Sequence, residues 1–520
     1  GKPIPRIDLV PKVMGKPIYG LDVTMPGMLF GSVVRNPWID AEMVSVDTSK
    51  AENMPGVVKI VQEDNFIGVV AKTQFEADVA KDRIKVEWKV NKKWQQAELL
   101  EMTKIGYGKS FVIQREGSIK KRFQSENSLE VQYSTPFGTH AQIEPNGAVA
   151  HVEKDRAYLK LSTQVQRITR KEVAKALGFK PDQVEVEATF LGGGFGRRLY
   201  TPNAIQAALM SRAVGKPVHV FFTRKEEFQN GTYRPATHHI ARAEWDDSNN
   251  LVAVEHQCSS GDVAFGSAIM PKAAEGLLGS DLGSWIGGLI NYHKIPNYEV
   301  TSWRVDNMPI DTNMWRSLGT FANTFALESF FDEIAQKTGK DPIELRLQYL
   351  PDDEKGKRLK NVIRIAAKKV GWGKKLPQGK GMGFACVSEF GTSVAQIAEV
   401  TVTGKKIKVD KVTCVIDCGI AVNPDGVKAQ CESAIIMGMS AAMFEKIEVK
   451  DGKIGPIIYG PYKIAQLKHA PREIDVVVVD SHEKPSGVGE PPMGPPAPAI
   501  ANAIFNATGQ RLRDMPFTLE

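Results

Sequence analysis

Along the first ninety-five residues, short aliphatic runs alternate with polar turns. Leu29-Phe30-Gly31-Ser32-Val33-Val34, Val57-Val58-Lys59-Ile60-Val61 and the IGVVA of 67–71 have the length and branching of strands. FEADVAKDRIKVEW then changes period and reads as a helix, with Val79 and Ile84 in its apolar set, running into a strand. These patterns predict a compact α/β unit over 1–95. Residues 96–125 are polar and irregular, and predict a linker.

From 126 the pattern turns strand-rich in LEVQYSTPF and AVAHVEKDRAYLKLSTQ. VQRITRKEVAKALGF is helical, with Ile168, Val173, Ala176 and Leu177 on one side and Gly178 at its end. VEVEATF leads into glycines, and TPNAIQAALMSRAVG starts a helix beside a proline. The Gly/Ser-rich stretch 260–290 predicts a long irregular loop. FANTFALESFFDEIAQKTG (321–339) predicts an amphipathic helix ending on Gly339. Turn-rich sequence at 351–380 suggests a boundary. Beyond it VAQIAEVTV, KIKVDKVTCVI and DVVVVD read as strands, and KAQCESAIIMGMSAAMF and APAIANAIFNA as helices. The fold class is α+β, in units of 1–95, 126–375 and 376–520.

Bulk properties narrow the function. A chain of 520 residues needs more than one domain. The net charge of +7 is dispersed; clusters such as Lys405, Lys406 and Lys408 are short and lack interleaved aromatics, which argues against nucleic acid. No apolar run approaches the ~18–20 residues of a membrane-spanning helix. The sequence opens on Gly1, as a processed chain or a partial gene product would. Five cysteines (Cys258, Cys386, Cys414, Cys418, Cys431) include no CxxC pair, so structural zinc and iron–sulfur clusters are not expected on this chain. They read as small packed hydrophobes.

Three stretches concentrate chemistry. LGGGFGRR (191–198) lies between a strand and a helix, where bare backbone N–H groups can meet an anion or oxo group. Arg197 and Arg198 add positive charge. It is neither a dinucleotide fingerprint, since Arg197 stands where glycine is needed, nor a P-loop, since no GK[ST] follows. A tight structural turn is the alternative. NMWRSLG places Arg316 after Trp315, where the guanidinium can bind an anion or pair structurally. GVGEPPMGPPAP (487–498) stiffens the chain around a single acid, Glu490. A solvated connector would look the same locally.

In order along the chain, STQVQ (162–166), LGGGFGRR, YHKIPN (292–297), MWRSLGTFANTFALESFFDEIA (314–335), VIDCGIAVNPDGVKAQCESAIIMG (415–438), YGPYKIA (459–465) and GVGEPPMGPPAPAIANA (487–503) resemble the molybdenum hydroxylases. That is the xanthine oxidase and aldehyde oxidoreductase superfamily, in its large molybdopterin-binding subunit. The branch it resembles is the isoquinoline 1-oxidoreductase β-subunit type. The resemblance spans essentially the whole chain. It implies an α/β hammerhead domain followed by two mixed α/β molybdopterin-binding domains.

The resemblance assigns Glu490 as the active-site base of a water-derived hydroxylation, with hydride passing to the molybdenum centre. It places Gly193, Gly194, Phe195 and Gly196, with Arg197, beside the metal's ligand sphere. It puts Trp315 and Arg316 close to the metal and Gln430 on the pterin, and counts Gly489 among the cofactor-binding residues. The molybdenum is then held through the pterin dithiolene rather than by protein ligands. The cofactor is the molybdopterin cytosine dinucleotide form in most bacterial members. The family pairs this subunit with a small [2Fe–2S] subunit and, in many isoquinoline-type systems, with a cytochrome c subunit in a periplasmic, membrane-associated assembly.

Three departures bear on function. Xanthine-specific enzymes carry a glutamate where Leu199 stands, which favours aldehydes or other apolar aromatic substrates; N-heteroaromatic hydroxylation is the other enzymatic reading. Cys431 and Ser433 in QCES replace a glycine-containing continuation, the best support for a non-catalytic scaffold. The family's MGQG loop is absent from these residues, and the resemblance implies a separate chain that supplies it.

Overall fold

The computed structural model describes residues 1–63, 66–270 and 273–520, so the 260–290 segment is described except at 271 and 272. A seven-stranded sheet takes the order Val184–Ala188, Ala157–Leu161, Gly147–Val152, Val218–Phe221, Leu29–Val34, Phe66–Ala71, Val57–Glu63. Strands from before residue 95 and after residue 126 therefore share one sheet. Leu29 lies parallel to Val218, and Phe30 antiparallel to Ala71. The reason is in the strand itself: Leu29–Val34 is apolar at nearly every position, so both faces and both edges need partners. A small two-stranded sheet, Ala41–Asp47 with Lys85–Val90, stands apart from it.

The expected linker 96–125 is structured. Gln96–Met102 is a helix that buries Leu99 and Met102, and Lys109–Glu116 pairs antiparallel with Tyr298–Arg304. Its polar appearance is that of an edge strand with one half-buried face. Lys109–Glu116 closes a five-stranded sheet that continues through Leu251–Ser260 and Thr237–Trp245 to Ser128–Thr135.

The helix Thr320–Thr338 is buried on nearly every side rather than along one stripe. It packs against the five-stranded sheet and against the helix Pro496–Thr508. Its acids Glu328, Asp332 and Glu333 are matched by Arg346, Arg511 and Arg513, so charge is tolerated inside the core. The 351–380 stretch, read as a turn-rich boundary, holds the helix Glu354–Val370. Its buried Leu359, Val362, Ile363, Ala366 and Val370 have helical spacing. That helix and Pro496–Thr508 pack on a four-stranded sheet ordered Lys380–Glu389, Thr392–Thr403, Lys406–Asp417, Glu473–Val478. All five cysteines are buried and free. Among the described residues no helix is long and apolar enough to cross a membrane.

Candidate active site

Four segments meet where the two halves of the molecule join. The first is the glycine turn, with positive φ at Gly193, Phe195 and Gly196. At Gly196 a Cβ would fall 1.8 Å from the Met314 carbonyl oxygen, so only glycine fits. Its N–H donates to Gln164 Oε1 at 3.2 Å. Beneath the turn, buried Arg198 donates to the Gly193 carbonyl (2.7 Å) and to Glu144 (2.8 Å), while Glu144 accepts from the Gly192 N–H (2.7 Å). With the turn held this way, the N–H groups of Gly193, Gly194 and Phe195 meet no acceptor among the described residues. Three successive unpaired amide N–H groups are donors that an anion or oxo group could use.

The second segment is Met314–Leu318. The Arg316 N–H donates to the Phe195 carbonyl at 2.9 Å, fixing this segment to the glycine turn. The Met314 carbonyl is contacted by His140 Nε2 at 2.8 Å. Burial pushes the His140 imidazole down to about 4, so the ring is neutral at neutral pH. Ser317 and Leu318 both take positive φ, which turns the Ser317 N–H toward the acid loop.

The third segment is that loop. Glu490 Oε1 accepts from the Ser317 N–H at 3.0 Å. Glu490 opens the short turn Pro491–Met493, whose Pro492 carbonyl is held by the buried Gln396 amide at 2.9 Å. The prolines clamp the acid to the four-stranded sheet. The fourth segment is the helix Pro424–Met443, capped by Asn423, which presents Gln430 and Ser433 one turn apart.

Arg316 joins the last three. Its guanidinium donates to the Gly489 carbonyl (2.6 Å), Ser433 Oγ (2.9 Å) and Gln430 Oε1 (2.9 Å). Burial lowers its pKa from the ordinary value and the nearby Glu490 charge raises it in return. Beside this cluster lies a cleft of about 710 Å³ whose wall includes His140, Phe195, Ser433, Ile436, Met437 and Ile474.

Of the residues singled out in the sequence, Glu490, Gly489, Arg316 and Gln430 are thus brought into one network, with Gly193–Gly196 attached through Phe195. Two sit otherwise. Trp315 is buried in the core, edge-on to Phe321 at 5.3 Å and beneath the Arg234 guanidinium at 4.8 Å, so it packs the segment from behind. Arg197 is buried and paired with Glu227 at 2.5 Å, so its charge is spent internally. Sequence reasoning missed Ser317, Ser433 and Gln164. Gln164 lay inside the STQVQ motif, and Ser433 inside QCES, where it stood out only as a departure. Ser317 acts through its main chain, which leaves no signature in residue type.

The donor set suits a large anionic cofactor. Three amide N–H groups are free, the buried Ser317 Oγ has no partner, and a Cβ on Gly489 would meet nothing closer than 3.9 Å. Among the described residues no group of three His, Cys, Asp or Glu side chains could hold a metal directly. A metal arriving on its own organic carrier needs none.

Comparison with known proteins agrees with this geometry. Residues 106–350 and 334–471 match two families, each described as a molybdopterin cofactor-binding domain. The chain is 31% identical over 554 residues to a membrane-bound aldehyde dehydrogenase [pyrroloquinoline-quinone] of Gluconacetobacter polyoxogenes, covering 98% of this chain and 70% of that protein. It is 29% identical to the isoquinoline 1-oxidoreductase subunit beta of Brevundimonas diminuta, covering 99% of this chain and 68% of that one. Its fold is that of quinoline 2-oxidoreductase from Pseudomonas putida 86, with a TM-score of 0.85 at 16% identity, over 99% of this chain and 96% of that one. The chain belongs to the molybdenum hydroxylase superfamily, as its molybdopterin-binding large subunit. It is an oxidoreductase subunit that binds the molybdopterin cofactor.

Proposed function

We propose that the chain is the catalytic part of an aldehyde dehydrogenase that converts aldehydes to carboxylic acids, with Glu490 as its base. The observation that carries this reading is the Ser317 N–H bond to Glu490 Oε1. It fixes one carboxylate oxygen and leaves Oε2 to take a proton, without reorganisation at the moment of reaction. The amide N–H groups of Gly193, Gly194 and Phe195, together with Gln430 and the Arg316 that orients it, would hold the cofactor. The bound cofactor supplies the two-electron redox centre.

Leu199 supports the aldehyde reading over a purine substrate, because it is buried and offers no acid to a ring nitrogen. Hydroxylation of an N-heteroaromatic ring is the second reading, favoured by the similarity to the isoquinoline enzyme's subunit beta. The cytosine dinucleotide form of the cofactor, a small [2Fe–2S] subunit, a cytochrome c subunit and a periplasmic assembly complete the proposal. So does a glutamine-bearing MGQG loop supplied from outside these residues. The test is Glu490→Gln in the natively assembled enzyme, assayed against aliphatic and aromatic aldehydes and against isoquinoline and nicotinate. Loss of oxidation with molybdenum retained supports the reading; unchanged turnover overturns it.

A further inference from the structure

The loop between Leu251–Ser260 and Tyr298–Arg304 folds around one acid. Asp281 is fully buried, and its carboxylate accepts four main-chain N–H bonds. Val263 (2.8 Å) and Phe265 (3.1 Å) donate to Oδ2, while Ala264 (3.1 Å) and Gly283 (2.7 Å) donate to Oδ1. All four donors are main-chain amides rather than cations, so a charge that is costly to bury is used to hold backbone to backbone. The donors belong to two arms of the loop, and the arms lie on the two ends of the segment 312–319 that carries Arg316 and Ser317. On the first arm, Gly266 approaches the Thr312 carbonyl oxygen so closely that a Cβ would collide with it. On the second arm, the Gly283 carbonyl accepts from the Gly319 N–H at 2.7 Å, and a Cβ on Gly319 would collide with the Ser284 carbonyl oxygen. That Ser284 carbonyl also accepts from the Asn323 side-chain amide at 2.9 Å.

We infer that Asp281 is a positioning residue: its carboxylate closes the two arms on 312–319 and so holds the Ser317 N–H against Glu490 Oε1, a role that rests on Glu490 being the base. The segment needs such a clasp. Ser317 and Leu318 both take positive φ, a conformation that non-glycine residues keep only where their neighbours impose it. Inside the turn, the Leu318 N–H donates to the Trp315 carbonyl at 2.7 Å and the Thr320 N–H to the Ser317 carbonyl at 2.9 Å. The Gly319 N–H between them goes to the second arm, two residues from the donor that meets Glu490. An asparagine at 281 keeps the shape but offers one acceptor oxygen in place of two, and turns an NH2 group toward amide donors. The arms would then part, and a Ser317 N–H free to move would no longer orient the carboxylate.

Asp281→Asn in the natively assembled enzyme tests this, with Asp341→Asn as control. The Asp341 carboxylate also accepts two main-chain N–H groups, but at the start of the helix Pro342–Tyr349, outside the segments of the site. Molybdenum content, residue-resolved hydrogen exchange at the Ser317 amide, and kcat and KM across pH are measured, with the best substrate of the aldehyde and heteroaromatic panel. Asp281→Asn should keep its molybdenum, exchange faster at Ser317, and lose kcat by about 10–100-fold with KM little changed. The acid limb of its kcat profile should move to higher pH, because a carboxylate that loses an amide donor takes up a proton more readily. Asp341→Asn should lower Tm and leave both the Ser317 exchange and the acid limb in place. Where Asp281→Asn does not fold, Gly319→Ala, at a φ of −68° that alanine accepts, breaks the hold of the second arm and should give the same pattern. Unchanged exchange at Ser317, or an acid limb that stays in place, overturns the inference. Full turnover in Glu490→Gln overturns the base reading instead, and a Ser317 amide that still loosens in Asp281→Asn would leave the clasp standing.

Discussion

Ser317 donates its main-chain N–H to Glu490 Oε1 at 3.0 Å across 173 residues of sequence. That bond joins the segment anchored to the glycine turn with the proline-stiffened acid loop. A main-chain donor cannot rotate away, so the carboxylate is oriented before substrate arrives. Glu490→Gln keeps the shape but loses the base. Turnover should fall by about 100-fold or more, with molybdenum content unchanged in metal analysis and KM altered little.

Arg316 reaches the Gly489 carbonyl, Ser433 and Gln430 with separate guanidinium nitrogens. A lysine offers a single nitrogen and cannot span the three. Charged hydrogen bonds contribute roughly 1.5–3 kcal/mol each, so Arg316→Lys should lose cofactor as well as activity. Molybdenum per chain and a fluorescence assay of released pterin read this directly; full occupancy in the lysine variant would contradict the linking role.

Gly196→Ala places a methyl group where the Met314 carbonyl oxygen lies 1.8 Å away, at a φ of +105°. The unfavourable φ alone costs about 1–3 kcal/mol, and the clash forces the turn away from Met314. A lowered Tm with reduced cofactor content is expected. Arg197→Gln should behave differently. It strips the buried partner from Glu227, which costs about 3–5 kcal/mol of stability, while the surviving folded protein still binds cofactor.

Burial also sets a pH dependence. His140, His219 and His256 are each pushed down to about 4 by desolvation. Unfolded histidine titrates near 6.5. Between those values the unfolded chain binds more protons, so the stability from these residues is fully present above about pH 6.5 and is lost as pH falls toward 4. Each contributes a slope of at most ~1.4 kcal/mol per pH unit. Tm measured from pH 7.5 to 4.5 should fall accordingly, and His219→Phe should reduce the slope. A flat profile would contradict neutral burial.

Much of this site was legible in the sequence because its parts are local devices. Consecutive glycines, prolines flanking one acid, and a helix capped by Asn423 each announce a special backbone. What the sequence hid depends on partners far along the chain. Arg197 and Trp315 look like ligand-facing residues until Glu227 and Phe321 are seen to occupy them. The helix Thr320–Thr338 has a helical pattern, but only the packed sheets reveal that its acidic side is also interior. Lys109–Glu116 reads as a linker because an edge strand buries only half its residues.

The most direct test of the central claim is metal analysis of the natively purified assembly, with each chain identified by mass spectrometry. Molybdenum stoichiometric with this chain, and iron confined to a co-purifying chain, is the expected result. A folded chain from its native source with no molybdenum would contradict it and leave Glu490 as the acid of a stiff loop.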